Sequence, residues 1–489
     1  MPSTREADPP PAEILPPNLT AEIERLFTLQ GRQAEPLRRT TAAQRIRKLR
    51  RLRAALMAHR PALHAALHAD FRKPPEEVDL TEIGPVLIEL RHAIAHLPAW
   101  MRPKKVRTPF YLIGTSAEVR YEPKGRGLIL APWNYPVNLT LGPLVGAVAA
   151  GCPVILKPSE HCPHTGRLLK ELLATVFPES EVAVIEGDRR VAQALLRRPF
   201  DHIYFTGGTA VGRLVMQAAA EHLASVTLEL GGKSPVIVDE TADVEDAAEK
   251  IAFGKFSNAG QTCIAPDHVF VHESRHDAFV QALTAQIRAF YGADAGARAA
   301  SPGYARIVND HHFARLRACY DEALAAGATP FPGAAHRAGD RFIDPVVLTG
   351  VPPDVRLMRE EIFGPLLPVI PFRHLDEAVR RINEGGRPLT LYVFSRKRDN
   401  VAYVLDRTTA GSTCVNDTLL PFIHPELPFG GAGPSGIGRA HGYRTFLAFS
   451  NERAVLRQRL RRTPLKRFYP PYTRTTRRLI AALLKLLGA

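Results

Sequence analysis

The chain has 489 residues and a mass of 53.8 kDa, which at roughly 150 residues per domain predicts about three lobes. Its hydrophobic content of 45% and charged content of 23% exclude a disordered, collagen-like or fibrous chain. The net charge of +15 is uneven: residues 453–489 hold eleven Lys or Arg and no Asp or Glu, so the other 452 residues carry 15 − 11 = +4. This distribution excludes a fold that is basic over its whole surface. It predicts a basic C-terminal tail, typical of a solvated arm or of contact with an anionic surface.

The first 17 residues are rich in proline and lack an apolar core, so they predict a disordered leader rather than a signal peptide. No run of the sequence approaches the ~18 apolar residues that span a bilayer. The five cysteines are scattered, and none belongs to a C-x-x-C or Cys/His cluster with zinc spacing. We therefore predict no disulfide framework, no metal site and a cytoplasmic location, where thiols stay reduced.

In chain order, residues 18–70 carry apolar side chains at helical spacing and predict helices. Residues 111–121 predict a strand, a turn at Gly114 and a second strand. Short Val/Ile/Leu runs then alternate with Ala/Leu-rich segments of helical length, and a second α/β region follows at about 250–415. Such runs are typical of a parallel sheet covered on both faces, and hence of a doubly wound α/β fold. The runs are 127–132, 153–158, 182–187, 202–208 and 235–240.

Cys263 lies among small residues in the segment 258–266, Asn-Ala-Gly-Gln-Thr-Cys-Ile-Ala-Pro. We interpret it as a nucleophile at a junction between a loop and a helix, where the helix N-terminus would lower the thiol pKa. Its own backbone N–H would then face a developing oxyanion. The alternative is a small buried hydrophobic residue, which is the commoner situation for a cysteine. Taken alone, Cys263 does not decide between the two.

Two further polar residues follow strand-like segments. Glu229 points away from its two leucine neighbours and precedes a Gly-Gly turn, where apolar surroundings would raise its carboxyl pKa and suit it to act as a general base. Asn134, in Ala-Pro-Trp-Asn-Tyr-Pro, is a candidate oxyanion donor. The alternatives are a surface carboxylate for Glu229 and, for Asn134, an Asx turn that caps the helix after Pro136.

Candidate nucleotide-binding residues lie at other strand ends. Gly207, Gly208 and Gly212 follow one strand and would bring a helix N-terminus to a phosphate, although a tight turn explains them equally well. Lys157 and Glu160 end another strand and would reach ribose hydroxyls at the carboxyl edge of the sheet.

The segment 360–365, Glu-Glu-Ile-Phe-Gly-Pro, places a carboxylate and an aromatic ring two residues apart. If this segment is extended, Glu361 and Phe363 share one face. We expect the carboxylate to bind a ribose and the ring to offer a flat surface beside it.

In this order the motifs resemble those of the aldehyde dehydrogenase superfamily over about residues 20–460. The spacing between Glu229 and Cys263 (263 − 229 = 34) matches that family as well. Other segments resemble its class-3 branch, which includes fatty aldehyde and coniferyl aldehyde dehydrogenases. The superfamily motifs are PWNYP, KPSE, FTGGTAVG, LELGGKSP, GQTCIAPD, EEIFGP and LPFGGAGPSGIGR, and the class-3 segments are GQTCIAPD, RPLTLY, NDTLL, GRAHG and YPPY.

The resemblance implies NAD(P)-dependent oxidation of a hydrophobic aldehyde, aliphatic, fatty or aromatic, to the carboxylic acid. Cys263 would attack the aldehyde, Asn134 and the Cys263 N–H would hold the oxyanion, and Glu229 would activate the water that hydrolyses the thioester. The resemblance also implies the cofactor ligands. These are Lys157 and Glu160 at the adenosine ribose, Gly207, Gly208 and Gly212 at the pyrophosphate, Glu361 at the nicotinamide ribose, and Phe363 and Trp133 nearby.

The coenzyme preference depends on two positions. A carboxylate at Glu160 accepts a hydrogen bond from a ribose 2′-OH but repels a 2′-phosphate, so we expect NAD to be preferred. NADP is the alternative, because many superfamily members carry Ser where this chain has Gly208, and the change removes a hydroxyl contact.

The resemblance further implies a doubly wound cofactor domain, a second α/β catalytic domain and a β hairpin that bridges the subunits of a homodimer. Residues 474–487 predict an amphipathic helix, which either docks on the protein or contacts an anionic membrane. No nucleic-acid partner is expected. The boundaries are 1–17 for the leader, 18–100 and 124–229 for the cofactor domain, 230–415 for the catalytic domain, 101–123 and 416–462 for the bridging element, and 463–489 for the basic tail.

Two other functions stay open. An acylating, coenzyme-A-dependent dehydrogenase of the same fold would need no water-activating carboxylate, so Glu229 counts against it. A non-catalytic scaffold is disfavoured because Cys263, Glu229 and Asn134 are all present. The sequence does not name the aldehyde, whose pocket is lined by residues outside these motifs.

Overall fold

The computed structural model describes residues 15–332 and 335–488. Most of the predicted leader, residues 1–14, therefore lies outside the described residues. The helices are α1 Pro17–Arg38, α2 Ala42–Ala58, α3 Arg60–Phe71, α4 Pro75–Val78, α5 Gly84–Trp100, α6 Asn138–Ala150, α7 Pro163–Val176, α8 Arg189–Leu196, α9 Thr209–Glu221, α10 Val244–Phe256, α11 His276–Tyr291, α12 Ala295–Ala300, α13 Asp310–Ala325, α14 Arg356–Arg359, α15 Leu375–Glu384, α16 Arg398–Arg407, α17 Leu420–Ile423, α18 Tyr443–Ala448 and α19 Arg474–Leu486.

The strands fall into three larger sheets and one short pair. They are β1 Lys104–Val106, β2 Thr115–Pro123, β3 Gly127–Leu130, β4 Val154–Lys157, β5 Val182–Val184, β6 His202–Gly207, β7 Ser225–Leu230, β8 Pro235–Val238, β9 His268–His272, β10 Thr329–Phe331, β11 His336–Arg337, β12 Phe342–Ile343, β13 Val346–Thr349, β14 Leu366–Phe372, β15 Thr390–Phe394, β16 Ser412–Val415, β17 Gly436–Ile437 and β18 Ser450–Gln458.

The N-terminal helices form where the apolar spacing predicts them. Helix α1 buries Ile23, Leu26 and Phe27 on one side. Helix α2 begins with a capping box, in which the Thr41 hydroxyl accepts from the Gln44 N–H at 3.3 Å and the Gln44 side chain accepts from the Thr41 N–H at 2.7 Å. The prediction of helices over residues 18–70 is confirmed by α1, α2 and α3.

The first large sheet has the order β17-β7-β6-β3-β4-β5, with every pair parallel except the antiparallel contact of β17 with β7. Four of the predicted runs form β3, β4, β5 and β6, and helices cover both faces as the continuous apolar runs require. The doubly wound parallel sheet is therefore confirmed. The carboxyl ends of these strands share one edge, where ligands of such sheets bind.

The second large sheet has the order β10-β13-β14-β9-β8-β15-β16, in which β10 is the antiparallel edge strand. The fifth predicted run forms β8 and joins this second sheet rather than the first. The chain thus passes from one sheet to the other between β7 and β8, across the Gly231–Gly232 turn.

A separate antiparallel sheet has the order β1-β2-β18. The prediction of a strand, turn and strand within 111–121 is wrong in its first half, because residues 110–112 form a 3₁₀ turn after Pro109. The hairpin partner of β2 is instead β1, with Lys104 opposite Val119. On its other side β2 pairs along its whole length with β18, from Ser450–Pro123 to Gln458–Thr115.

The predicted C-terminal helix is confirmed as α19, which begins after Thr473 with the Thr473 hydroxyl accepting from the Thr476 N–H at 3.2 Å. Thr476 is its one buried residue, while Leu484 and Leu486 are exposed. Among the described helices, none combines the length and the apolarity that crossing a bilayer requires.

Candidate active site

A narrow cavity lies where β6 and β7 of the first sheet face the loops of the second. Its walls are largely apolar, and it brings together the candidate nucleophile and the candidate general base. The lining residues are Glu89, Asn138, Leu139, Gly142, Pro143, Tyr204, Thr206, Glu229, Leu230, Cys263, Leu389, Phe422, Phe429, Ala440, His441 and Thr445.

Cys263 sits on a tight turn, not at the start of a helix, so the predicted loop-to-helix junction is wrong. Helix α10 ends before it, and a 3₁₀ turn follows in which Asn258, Ala259 and Gly260 all have positive φ angles of 54°, 52° and 74°. After Cys263 the chain turns again, with the Ala265 N–H donating to Thr262 at 3.0 Å, and then enters β9. The Cys263 side chain therefore lacks the helix N-terminus that was expected to stabilise a thiolate.

The pKa of the Cys263 thiol is raised to about 12, where the sequence analysis expected a lowered value. Burial is the main cause, and the negative charges of Glu361 and Glu229 add to it. The backbone N–H groups of Cys263 and Ile264 face the sulfur and oppose this shift, but they do not outweigh it. The resting thiol is therefore protonated, and the attack requires a base that takes its proton.

Glu229 lies near the end of β7, opposite Thr206 on β6 and Gly436 on β17. It is buried, and neither carboxylate oxygen has a hydrogen-bond partner among the described residues. Burial raises its carboxyl pKa to about 8, against an opposing charge from Arg439. An unpartnered carboxylate of this pKa in the cavity of a thiol has the properties of a general base.

Asn134 is buried beside the Cys263 turn. Its Nδ2 donates to the main-chain oxygen of Gln261 at 3.0 Å. It does not cap the next helix: α6 begins at Asn138, and the N–H groups of Val137 and Asn138 donate to Glu82 Oε2 at 3.1 and 2.9 Å. The Asx-turn alternative for Asn134 is therefore excluded by the contacts of its side chain.

Lys157 ends β4 at the carboxyl edge of the first sheet, as the sequence predicts. Its buried Nζ donates to the Pro158 oxygen and to Glu160 Oε2, each at 3.0 Å. Glu160 is exposed, and the ion pair of Lys157 with Glu160 forms a polar clamp at this edge of the sheet.

The three glycines mark the passage from β6 to α9. Gly207 ends the strand and Gly208 precedes the helix. A Cβ at Gly212 would lie 2.6 Å from Leu230 Cδ2, so this glycine lets α9 pack closely on β7. At Gly208, by contrast, no atom would come within 4 Å of a Cβ, which leaves room for a ligand over the helix N-terminus.

Glu361 and Phe363 do not lie in an extended strand, so the condition under which they would share one face is not met: Phe363 has a φ angle of 47°, in the left-handed region. Burial of its carboxyl raises the Glu361 pKa to about 8, and Glu361 Oε1 is buried without a hydrogen-bond partner among the described residues. The Phe363 ring meets Trp133 edge to face at 5.2 Å between centroids. Trp133 in turn precedes Asn134, so both segments adjoin the Cys263 turn.

Three residues that the sequence did not point to, Asn258, Glu77 and Glu82, hold the segments of Cys263 and Asn134 in place. Asn258 donates from Nδ2 to the Asn134 oxygen at 2.9 Å, and its N–H donates to Glu77 Oε2 at 2.9 Å. Glu82 forms a buried ion pair with Lys73 at 2.9 Å. Asn258 stands in the motif of Cys263 and was open to sequence reasoning, whereas Glu77 and Glu82 lie about 180 residues away and carry no local signal.

Comparison with known proteins agrees with this geometry. Residues 18–455 match the family model described as aldehyde dehydrogenase family. A probable coniferyl aldehyde dehydrogenase of Pseudomonas aeruginosa is 42% identical over 94% of this chain and 97% of its own. Aldehyde dehydrogenase family 3 member B1 of Rattus norvegicus is 41% identical over 93% of this chain and 96% of its own.

Solved structures show the same architecture. The substrate-bound state of AldH of Staphylococcus aureus superposes with a TM-score of 0.90 at 40% identity, covering 94% of this chain and 99% of that one. An NAD-dependent aldehyde dehydrogenase of Sinorhizobium meliloti matches at a TM-score of 0.82 and 28% identity, covering 91% and 88%. An NADP-dependent enzyme of E. coli matches at 0.83 and 25%, covering 90% of each chain.

The chain belongs to the aldehyde dehydrogenase family, as its fold and its matched length establish. Within that family it is of the class-3 type. It is an oxidoreductase that oxidises aldehydes with a nicotinamide cofactor. The predicted superfamily, branch, fold class and reaction class are thereby confirmed.

Proposed function

We propose that this enzyme oxidises a hydrophobic aldehyde to its carboxylic acid, with Cys263 as nucleophile and Glu229 as general base. The observation that carries the proposal is the shared cavity: both side chains line it, and the Glu229 carboxylate has no hydrogen-bond partner among the described residues. The aromatic and aliphatic walls favour a substrate with an apolar body. The coniferyl aldehyde named for the Pseudomonas relative is one candidate.

In the proposed mechanism, the Cys263 sulfur attacks the aldehyde carbon while its thiol proton passes to Glu229. Asn134 Nδ2 and the Cys263 N–H then stabilise the oxyanion, each such donor contributing about 2.7–4 kcal/mol in typical enzymes. A bound nicotinamide would supply the acceptor for the hydride that the former aldehyde carbon gives up. The product on Cys263 is a thioester. Glu229 releases the thiol proton to solvent and, as a carboxylate again, takes a proton from the water that hydrolyses the thioester. The carboxylic acid leaves, and the Cys263 thiolate takes back a proton from Glu229.

The site residues fit a dinucleotide. The open space at Gly208, the unpartnered Glu361 Oε1 and the Lys157–Glu160 clamp offer a helix N-terminus and two carboxylates at the edge where cofactors of such sheets bind. NAD is preferred in this proposal, because the Glu160 carboxylate would accept a hydrogen bond from a ribose 2′-OH and would repel the 2′-phosphate of NADP. Phe363 and Trp133 form an aromatic wall next to this edge.

An aldehyde panel tests the proposal. Aliphatic aldehydes of increasing length and hydroxycinnamyl aldehydes are offered with NAD, and the carboxylic acid is quantified alongside the reduced cofactor. We expect kcat/KM to rise from acetaldehyde to the hydrophobic substrates, with acid formed one for one. Acyl-coenzyme A as the main product when coenzyme A is present would instead support the acylating alternative.

The domain roles follow from the two sheets. We assign cofactor binding to 18–100 and 124–229, catalysis to 230–415, and subunit bridging to 101–123 and 416–462. The sheet β1-β2-β18 supports the last assignment, since β1 is a fully exposed edge strand with Val106 open to solvent. A homodimer would cover this edge. All five cysteines are free thiols, which supports a cytoplasmic location.

Residues 463–489 form a tail whose helix α19 leaves Leu484, Leu486 and Leu487 exposed. The same segment carries basic side chains and no acidic ones. Two surfaces suit such a helix: the substrate entrance of a partner subunit, or an anionic membrane, where each nearby Lys or Arg contributes about 1 kcal/mol. Either one would place the helix where hydrophobic aldehydes arrive.

A further inference from the structure

Three side chains with metal-binding groups meet outside the cavity, on the far side of Glu89. His92 and His96 lie one turn apart on α5, and Glu426 lies in the loop between α17 and Phe429. Their candidate ligand atoms are all within 4.8 Å of one another, and no other three His, Cys, Asp or Glu side chains in the described part of the chain come together in this way. The two imidazole rings are 4.3 Å apart between centroids.

The His96 ring is oriented as the ring of a metal ligand is. Its Nδ1 lies 2.9 Å from the His92 main-chain oxygen. Because a carbonyl only accepts, Nδ1 must carry the proton and donate, so Nε2 keeps its lone pair. A backbone carbonyl that fixes the tautomer in this way is the usual support of a metal-bound histidine.

The His92 ring is also held in place. A Cβ at Gly442 would lie 2.8 Å from His92 Cδ2, so the backbone at this position abuts the ring.

We propose that His92, His96 and Glu426 form a binding site for a divalent transition-metal ion, with Zn²⁺ as the best match. Two imidazoles and one carboxylate suit zinc, nickel or cobalt, whereas magnesium and calcium prefer oxygen ligands alone. In tetrahedral coordination at about 2.0–2.2 Å, ligand atoms lie about 3.4 Å apart, so exposed side chains need to close by only about 1.5 Å. The fourth position is left to water.

No metal site was predicted from the sequence, because no cluster contains cysteine or follows zinc-finger spacing. The His-x-x-x-His pair on α5 was visible, but pairs of this kind are common on helices. Glu426 comes from a loop that is remote in sequence, so only the folded chain brings the third ligand to the pair.

The ion would link α5 to a wall of the cavity. Glu426 lies between Phe422 and Phe429, and both rings line the cavity of Cys263 and pack against His441 at 4.7 and 5.1 Å. Binding at Glu426 would therefore immobilise this loop. The consequence for substrate entry rests on the proposed function, but the binding itself does not.

Calorimetric titration of the full-length, tag-free chain with Zn²⁺, in a buffer that does not coordinate metals, tests the site. We expect one tight site per chain, and at least about a 10-fold loss of affinity in His96→Ala and in Glu426→Gln, since even outer-shell partners of metal ligands are worth 10- to 100-fold. The matched control is His374→Ala, an exposed histidine outside the group, which should bind as the parent does. A Cys263→Ala variant should also bind normally, which excludes the cavity thiol as the ligand.

Unchanged affinity in both His96→Ala and Glu426→Gln, or loss of binding in Cys263→Ala alone, would overturn the site. Amide hydrogen exchange supplies an independent measurement. Zn²⁺ should slow exchange over residues 424–429 in the parent and leave it unchanged in His96→Ala. Tight binding without protection of this loop would show that Glu426 is not a ligand and would refute the three-residue site.

Discussion

Asn258 holds Asn134 in place: its Nδ2 donates to the Asn134 main-chain oxygen at 2.9 Å and to the Gln261 oxygen at 3.1 Å. The Asn134 side chain donates to the same Gln261 oxygen. One buried amide thus ties the candidate oxyanion donor to the turn that carries Cys263. Asn258 adopts φ 54°, a conformation that asparagine tolerates better than most residues.

Replacement of Asn258 by aspartate should lower kcat/KM by about 10- to 100-fold, because the buried Asn134 carbonyl loses its donor at about 1–3 kcal/mol, whereas the Gln261 carbonyl keeps the Asn134 side chain as a donor. Aspartate keeps the shape of the side chain and tolerates the left-handed backbone conformation. The loss of activity therefore reports on how well Asn134 is positioned. The measurement is the pre-steady-state rate of cofactor reduction. Asn416→Asp is the control: Asn416 also has a positive φ, and it binds Ser395 in the second sheet. An equal loss of activity in Asn416→Asp would show that the substitutions act by destabilising the fold, not by displacing Asn134.

Cys263→Ala should abolish turnover, and Glu229→Gln should separate the two halves of the reaction. Without the carboxylate, water is not activated, so the thioester accumulates after hydride transfer. We expect a burst of reduced cofactor close to one per active site, slower than in the parent because Glu229 also receives the thiol proton, and then almost no steady-state rate. Rapid-mixing absorbance records the burst, and intact mass identifies the acyl adduct. Full steady-state activity in Cys263→Ala would refute the mechanism.

The steady-state rate should depend on the ionisation of Glu229, whose pKa is raised to about 8. Below that pH its carboxyl is protonated and cannot accept a proton from water, so kcat should fall about tenfold per pH unit as the pH decreases. Above pH 8 it should level off. The burst rate should go on rising, because the Cys263 pKa is raised to about 12. A pH-independent kcat between pH 6 and 9 would contradict the role of Glu229.

Glu160→Gln should shift coenzyme use toward NADP. The substitution keeps the size of the side chain and removes the negative charge that would repel a 2′-phosphate. We expect the ratio of kcat/KM for NAD to that for NADP to fall by about tenfold, which is 1.36 kcal/mol of differential binding. The control is Glu186→Gln, which removes a half-buried carboxylate at another strand end of the same sheet. Better catalysis with NADP in the unmodified enzyme would refute the preference.

The C-terminal helix gives a prediction about surfaces. In co-sedimentation at low salt, the full chain should pellet with anionic vesicles, and a chain that lacks residues 473–489 should stay in the supernatant. Added salt should weaken the binding. If the helix instead covers the entrance of a partner subunit, the truncation should change KM for long aldehydes without any vesicle binding. No vesicle binding at low salt by the full chain would eliminate the membrane role.

The sequence predicts the first sheet well, because its strands are continuous apolar runs that only a doubly covered parallel sheet can bury. Prediction from the sequence fails where the local residue pattern and the tertiary contacts favour different structures. Residues 110–112 look like a strand, but Pro109 starts a tight turn and the sheet partner of β2 comes from Lys104–Val106. Phe363 was expected in an extended segment, yet its backbone turns with φ 47°.

The site was predictable where a motif carries the chemistry, as at Cys263 and Glu229, which the fold brings to one cavity. The protonation of the thiol was not predictable, because it depends on burial and on Glu361, about a hundred residues later in the chain. The same holds for Glu77, whose pKa is raised to about 7 by burial behind Asn258. These effects come from residues that are close in space but far apart in the chain, and a single sequence does not reveal such contacts.

Strand β17 joins the first sheet from far away in the chain: Gly436 pairs with Glu229, 207 residues earlier (436 − 229). Arg439 and Phe429, on the same segment, complete the surroundings of the carboxylate and the cavity. During synthesis, β6 and β7 leave the ribosome long before this partner does. Glu229 therefore lies at an open sheet edge, without the cover of this strand, until residues 436–440 have been made and have folded back. Cys263 and Glu229 are both made before β17, but the surroundings that suit Glu229 to act as a base are complete only when β17 pairs with β7.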